Sequence, residues 1–174
     1  MPWFDRKFTF GFLPAMLPFM IERLEGTIVR LEQKVERINE AILAYPLESK
    51  WSVKQNIGHL MDVDDISGRR VGEIITGAVM LSRADIQTQD DYNGMPMWII
   101  LEKFASKRRN NIGRMRDLSE SELRMTSMHP RLKVAMNIVD LAWFDAEHDD
   151  HHLVRINEIL KTLKKSASRS TVKI

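Results

Sequence analysis

Apolar residues recur at three- and four-residue intervals along most of this chain, which predicts helices almost throughout. In the first run Leu24, Ile28, Leu31, Val35, Ile38 and Ile42 share one face, predicting a helix from about Pro18 to Ala44. Pro18 suits a first helical turn, where a missing N–H costs nothing, and Pro46 ends the run. A second stripe, Val53, Ile57, Leu60, Asp64, Ser67, Val71, Ile74 and Ala78, follows a Ser52/Gln55 capping-box pattern. The polar Ser67 and Gly68 are expected to bend that helix midway. Residues 82–94, with Asp90, Asp91, Asn93 and Gly94, read as a loop that is long for a link between adjacent antiparallel helices. A crossover connection accounts for its length. A third helix is predicted from about Pro96 to Asp117, with a short helix after it opened by the Ser119/Glu122 capping box. His129-Pro130 marks a break, and a last helix runs from about Leu132 to Leu163. The pattern predicts an all-α fold, a four-helix bundle with a long crossover between its second and third helices. Residues 1–165 form one domain, and the tail 166–174, which lacks apolar periodicity, is expected to be mobile.

Composition narrows the class without changing that picture. A chain of 174 residues with 44% hydrophobic and 29% charged positions suits one soluble domain with a single substantial core. Its 26 basic and 24 acidic residues are mostly interspersed. Lys107-Arg108-Arg109 and Lys164-Lys165 are the basic concentrations, expected as a solvated helix face and a frayed end. No nucleic-acid partner is expected, because such binding needs basic residues gathered on one face. Phe8 to Ile21 is apolar behind Arg6 and Lys7, but Gly11, Pro14 and Pro18 interrupt it, and it is too short to span a bilayer. No membrane association and a cytoplasmic location are the expectations. A glycine-rich phosphate loop is absent, so nucleotide binding has no support. The methionines, Met16, Met20, Met95 and Met97 among them, are expected to fill core gaps or line a dimer face. Trp98 and Trp143 are read as packing or interface residues, and Trp51 as a staple at the start of the second helix.

Candidate chemistry lies with the histidines. There is no cysteine, so any metal must be held by imidazole and carboxylate. Three of the five histidines fall within Glu147-His148-Asp149-Asp150-His151-His152. His148 and His152 are four apart, one turn along the same side of a helix. With Ala142 at zero on a wheel of about 100° per residue, His152 falls at about −80°, His148 at about −120° and His151 at about 180°. The wheel pairs His148 with His152 on one shoulder of the core stripe and sends His151 to solvent. On the second helix, with Leu60 at zero, His59 also falls on a shoulder, at about −100°. Spacing alone leaves two readings open for His59, a hydrogen-bonded boundary residue or a third ligand between neighbouring helices.

The stretch Trp51-Ser52-Val53-Lys54-Gln55-Asn56-Ile57-Gly58-His59-Leu60-Met61-Asp62 resembles the second-helix motif of the DinB-like (DinB/YfiT) metalloprotein superfamily. His129-Pro130 and the following helix, closing on His148 and His152, resemble its His-x-x-x-His element, and Ile21 to Thr27 resembles its first helix. The similarity covers roughly residues 20 to 160 in the expected order. It implies a four-helix bundle, one divalent metal ion, zinc or nickel, held by His59, His148 and His152, and commonly a homodimer. Related activities implied by the resemblance include transfer by bacillithiol-type low-molecular-weight thiols and a mycothiol-dependent isomerisation.

A three-histidine ion with open positions lowers the pKa of a bound water or thiol and delivers a nucleophile at neutral pH. The first functional expectation is therefore a metal-dependent transferase using a low-molecular-weight thiol on small electrophilic substrates. Alternatives are a metal-dependent hydrolase of a small substrate, or a non-catalytic dimeric helical protein with a structural metal. No general base is identified. Asp62 and Asp149 are candidates for orienting the imidazoles as hydrogen-bond acceptors. Asp65 and Arg69, four apart, are expected to form a helix-surface pair, and Glu147 to face away from the site.

Overall fold

Both capping boxes read from the sequence start helices where they stand. In this computed structural model, which describes residues 2–47, 50–84 and 91–171 with side chains through Lys165, Ser52 accepts from the Gln55 N–H and the Gln55 side chain accepts from the Ser52 N–H. Ser119 and Glu122 repeat the arrangement. The elements are α1 (Leu17–Val35), α2 (Glu40–Leu43), α3 (Val53–Ile75), α4 (Met97–Arg116), α5 (Glu120–Leu123), β1 (Ser127–Met128), β2 (Ala135–Met136) and α6 (Ile138–Thr171).

Two helix breaks were not expected, and at each an asparagine competes for backbone donors. The first helix was expected to reach Ala44, but it ends at Val35, and Asn39 opens α2 by accepting from the Ala41 N–H at 2.8 Å. The break turns Leu43 into the core at 1% exposure and leaves Ile42 at 43%. The last helix was expected from Leu132. Instead β1 and β2 pair antiparallel, Ser127 opposite Met136, with Lys133 in the left-handed region at φ 57° between them. Asn137 then caps α6: its Oδ1 accepts from the Asp140 N–H while Asp140 Oδ2 accepts from the Asn137 N–H. The helix runs to Thr171, past the expected end near Leu163. The expected mobility of 166–174 concerns side chains from Ser166, and residues 172–174 altogether, that lie outside the described residues.

The four long helices form the bundle, and the helix pairs that touch are α3 with α4 and α6, and α1 with α6 and α4. Two apolar clusters fix their directions. One gathers Leu17, Leu24, Val71, Ile74, Met115 and Ile138, and the other Leu31, Val35, Ile57, Ile100, Ile156 and Leu160. Helices α1 and α6 therefore run one way, and the neighbours α3 and α4 run the other. Parallel neighbours require the chain to return along the bundle between them, which is the crossover expected from the long loop. Leu81 sits in the first cluster and Tyr92 in the second. Among the described residues no helix is long and apolar enough to cross a membrane.

A buried polar knot ties the four helices together. Arg108 of α4 donates from Nε to Asp64 of α3 at 2.9 and 3.0 Å, and from its two Nη atoms to Asp149 of α6 at 2.6 and 3.1 Å. From α1, Thr27 donates to Asp149 at 2.7 Å, and the Leu24 carbonyl accepts from Arg108 at 3.1 Å. Arg108, expected on a solvated face, is thus 3% exposed. The expected Asp65–Arg69 pair is also replaced, since Asp65 pairs with Lys107 at 2.5 Å and Arg69 reaches Glu73 at 3.8 Å.

The crossover locks onto α3 at a glycine. A Cβ on Gly58 would stand 2.2 to 2.4 Å from the Tyr92 ring, which is 1% exposed and whose hydroxyl donates to Asp62. Gly58→Ala is expected to displace Tyr92 and destabilise the fold by about 1–3 kcal/mol, read as a lowered urea midpoint. Gly68 is similar, with a Cβ 2.4 Å from Asn111 Oδ1, and α3 runs unbroken past it. Ser67 and Gly68 therefore serve close packing on α6 and α4.

Candidate metal centre

Helix α3 supplies His59 and α6 supplies His148 and His152, and their antiparallel packing brings the three rings together. Each offers a ring nitrogen, and the three nitrogens lie within 4.8 Å of one another. The Nε2 atoms of His148 and His152 are 3.3 Å apart. His151 is not part of the group, but it is half-buried rather than solvated, because the Trp3 ring packs 5.7 Å from it.

One hydrogen bond fixes the chemistry of His152. Asn56, one turn into α3, donates its amide N–H to the Ser52 and Trp51 carbonyls at 2.7 and 3.3 Å. Its oxygen must then face His152, and it stands 2.8 Å from Nδ1. Nδ1 therefore carries the proton, and Nε2 presents a lone pair to the other imidazoles. Nδ1 of His59 and Nδ1 of His148 are buried without a hydrogen-bond partner. Asp62 and Asp149, expected to orient the imidazoles, thus do not accept from these two nitrogens. Asp62 accepts from Tyr92, and Asp149 is held by Arg108 and Thr27, because the buried guanidinium needs two carboxylates. The acceptor that orients a ring is Asn56.

Burial holds all three rings in the neutral form. It lowers His59 to about 4, and with the neighbouring imidazoles it drives His148 and His152 well below 6.5. Neutral imidazoles with converging lone pairs and unpartnered buried nitrogens suit a divalent cation, which needs deprotonated ligands. Asn56→Leu is expected to weaken binding of a divalent ion about 10- to 100-fold, measured by competition with a chelating dye.

Aromatic rings surround the centre. Trp51, expected to staple the start of α3, lies 4.8 Å from His59 and nearly parallel to His152 at 6.2 Å. Trp3 packs 4.9 Å from His148, and Arg6 behind it pairs with Glu147, which also takes Arg23 at 2.9 Å. Glu147 faces away from the site, as its wheel position implied. Trp98 is 64% exposed, whereas Trp143 packs against the core.

The centre forms one wall of a cavity of about 690 Å³. Phe144 and Ile66 contribute apolar wall, and Asp145, Arg70 and His129 contribute polar groups. Asp145 accepts from Ser67, and burial pushes its carboxyl up to about 7. His129 accepts at Nδ1 from the Leu132 N–H at 3.1 Å, and burial beside Arg70 and Arg131 lowers it to about 4. Sequence reasoning assigned no role to Asn56, Asp145, Arg70 or Trp3. Asp145 had a signal, standing one turn before His148. Trp3 had none, since only the fold returns it to α6.

A helical bundle with three neutral imidazoles converging beside an open cavity has the architecture of a mononuclear metalloprotein. The chain belongs to the DinB superfamily, whose family model matches residues 23–156. Among solved structures it is similar to YfiT from Bacillus subtilis, described as a probable metal-dependent hydrolase with an unusual four-helix bundle topology. The two share 19% identity and superpose with a TM-score of 0.79, covering 92% of this chain and 94% of that one. That likeness shows the fold. Comparison with curated proteins gives no match.

Proposed function

We propose that this protein is a divalent-metal-dependent hydrolase of a small substrate. The observation that carries the reading is the grouping of His59, His148 and His152 in the wall of the 690 Å³ cavity. These three residues would hold the ion, zinc or nickel, which when bound supplies Lewis acidity and a lowered pKa for water or a thiol. Trp51 packs against His59 and Trp3 against His148, adding aromatic surface beside the imidazoles. Asp145 is the one carboxyl among the described cavity-lining residues, and a carboxyl pushed up to about 7 by burial is suited to act as a general acid or base near neutral pH. Ser67 holds it in place. Asp145→Asn is expected to lower kcat by about 100-fold or more while leaving the metal content of the protein unchanged.

The second reading is transfer by a low-molecular-weight thiol of the bacillithiol type to a small electrophile. Cavity size favours it, because about 690 Å³ accommodates a drug-sized ligand or two smaller molecules. A panel of esters, amides and epoxides, incubated with metal-loaded protein with and without such thiols, separates the two. Metal-dependent hydrolysis without thiol supports the first reading, and thiol adducts alone support the second. No turnover across the panel would leave a structural ion in a non-catalytic helical protein.

A further inference from the structure

The cavity wall carries more positive charge than the fold neutralises. Arg70, Arg83 and Arg131 line it, against the single carboxylate Asp145 among the described lining residues. Arg83 and Arg131 are exposed, but Arg70 is buried to 6% exposure. A guanidinium that deep normally has a carboxylate partner. Arg70 has one hydrogen bond, from Nη2 to the Ser82 carbonyl at 3.0 Å, and its Nε is buried without a partner. Asp145 and Glu73 act on it only at a distance, and the Asp145 carboxyl is engaged by Ser67. The Arg131 guanidinium lies 4.5 Å over the Phe4 ring and likewise forms no ion pair among the described residues. The same wall carries the apolar side chains of Val63, Ile66 and Phe144.

Resting on the reading of this cavity as the substrate site, we propose that it takes small amphipathic organic anions, whose apolar body packs on Ile66 and Phe144 and whose carboxylate or phosphate is held by Arg70. Arg83 and Arg131 add attraction at the exposed side. The planar guanidinium fork matches either anion. An anion also relieves the cost of keeping an unpaired charge among apolar side chains.

Binding of phenylacetate, phenyl phosphate and the neutral phenethyl alcohol, followed by tryptophan fluorescence and calorimetry, tests this on both EDTA-treated and zinc-loaded protein. In the EDTA-treated protein at least one anion should bind about ten-fold or more tightly than the alcohol. Arg70→Gln should remove that preference and leave alcohol binding unchanged. Arg131→Gln, at an exposed position, should weaken anion binding a few-fold and serves if Arg70→Gln does not fold. Equal affinity for anion and alcohol overturns the proposal, as does anion binding that needs zinc and ignores both arginines. The metal-free arm reads binding alone, so failure of the hydrolase reading leaves its result intact.

Discussion

Purified without a His-tag, the protein should carry close to one divalent ion per chain, and His59→Ala, His148→Ala and His152→Ala should each bring that content near zero. Elemental analysis and competition with a chelating dye measure it. Each substitution removes one of three converging nitrogens and leaves a two-ligand site. The loss should exceed the roughly 10- to 100-fold expected when an outer hydrogen-bond partner of a ligand is removed. Helical content should persist, since each ring lies beside the cavity rather than among the apolar clusters. His151→Ala should keep the ion, because His151 stands outside the group. An equal loss in that variant would show that the wrong ring had been excluded. The pH dependence has a definite sign. Protons compete with a metal only below the pKa of the metal-free ligands, and burial has lowered His59 to about 4 and the other two well below 6.5. Affinity should therefore hold nearly constant from pH 7.5 to about 5.5, where three ordinary imidazoles would already be protonating.

Arg108→Met should be the most destabilising single change away from the centre, by about 3–5 kcal/mol. It leaves Asp64 and Asp149, at 3% and 2% exposure, without their shared cation. Asp64 is already pushed up to about 6 by burial with Arg108 in place. On a domain of this length the loss corresponds to a drop in Tm on the order of 10 °C. A triple variant, Arg108→Met with Asp64→Leu and Asp149→Leu, should regain much of it, because a well-packed apolar replacement of a buried ionic cluster is often neutral or stabilising. Chemical denaturation of the single and triple variants separates these cases. A fall confined below about 1 kcal/mol in the single variant would mark the knot as no stronger than a surface pair.

The bundle was legible because its helices announce themselves by local chemistry. Ser52/Gln55 and Ser119/Glu122 are caps whose two partners are three residues apart, so the pattern needs no tertiary knowledge. Helical phase likewise placed His148 beside His152 and left His151 out of their group. What phase cannot supply is the contact between helices. His59 joins the pair only because α3 and α6 pack antiparallel at that level. The same limit hid Arg108, since three consecutive basic residues span about 200° of a helix circumference and leave an arc wide enough for the core stripe, so phase alone does not turn any of them inward. Asn39 and Asn137 stopped or started helices that apolar spacing alone had extended through them. Asp62 and Asp149 were plausible acceptors by proximity in sequence, but Tyr92 and Arg108 claim them from segments no local pattern connects.

The parallel placement of α3 and α4 has a consequence for how the chain is made. As it leaves the ribosome, α3 acquires its first long neighbour, α4, while α6 is still unsynthesised. A nascent chain that ends before residue 138 holds one imidazole of the three. On the proposed reading, an ion can be held only once α6 has joined the bundle, because that helix brings two of the three imidazoles.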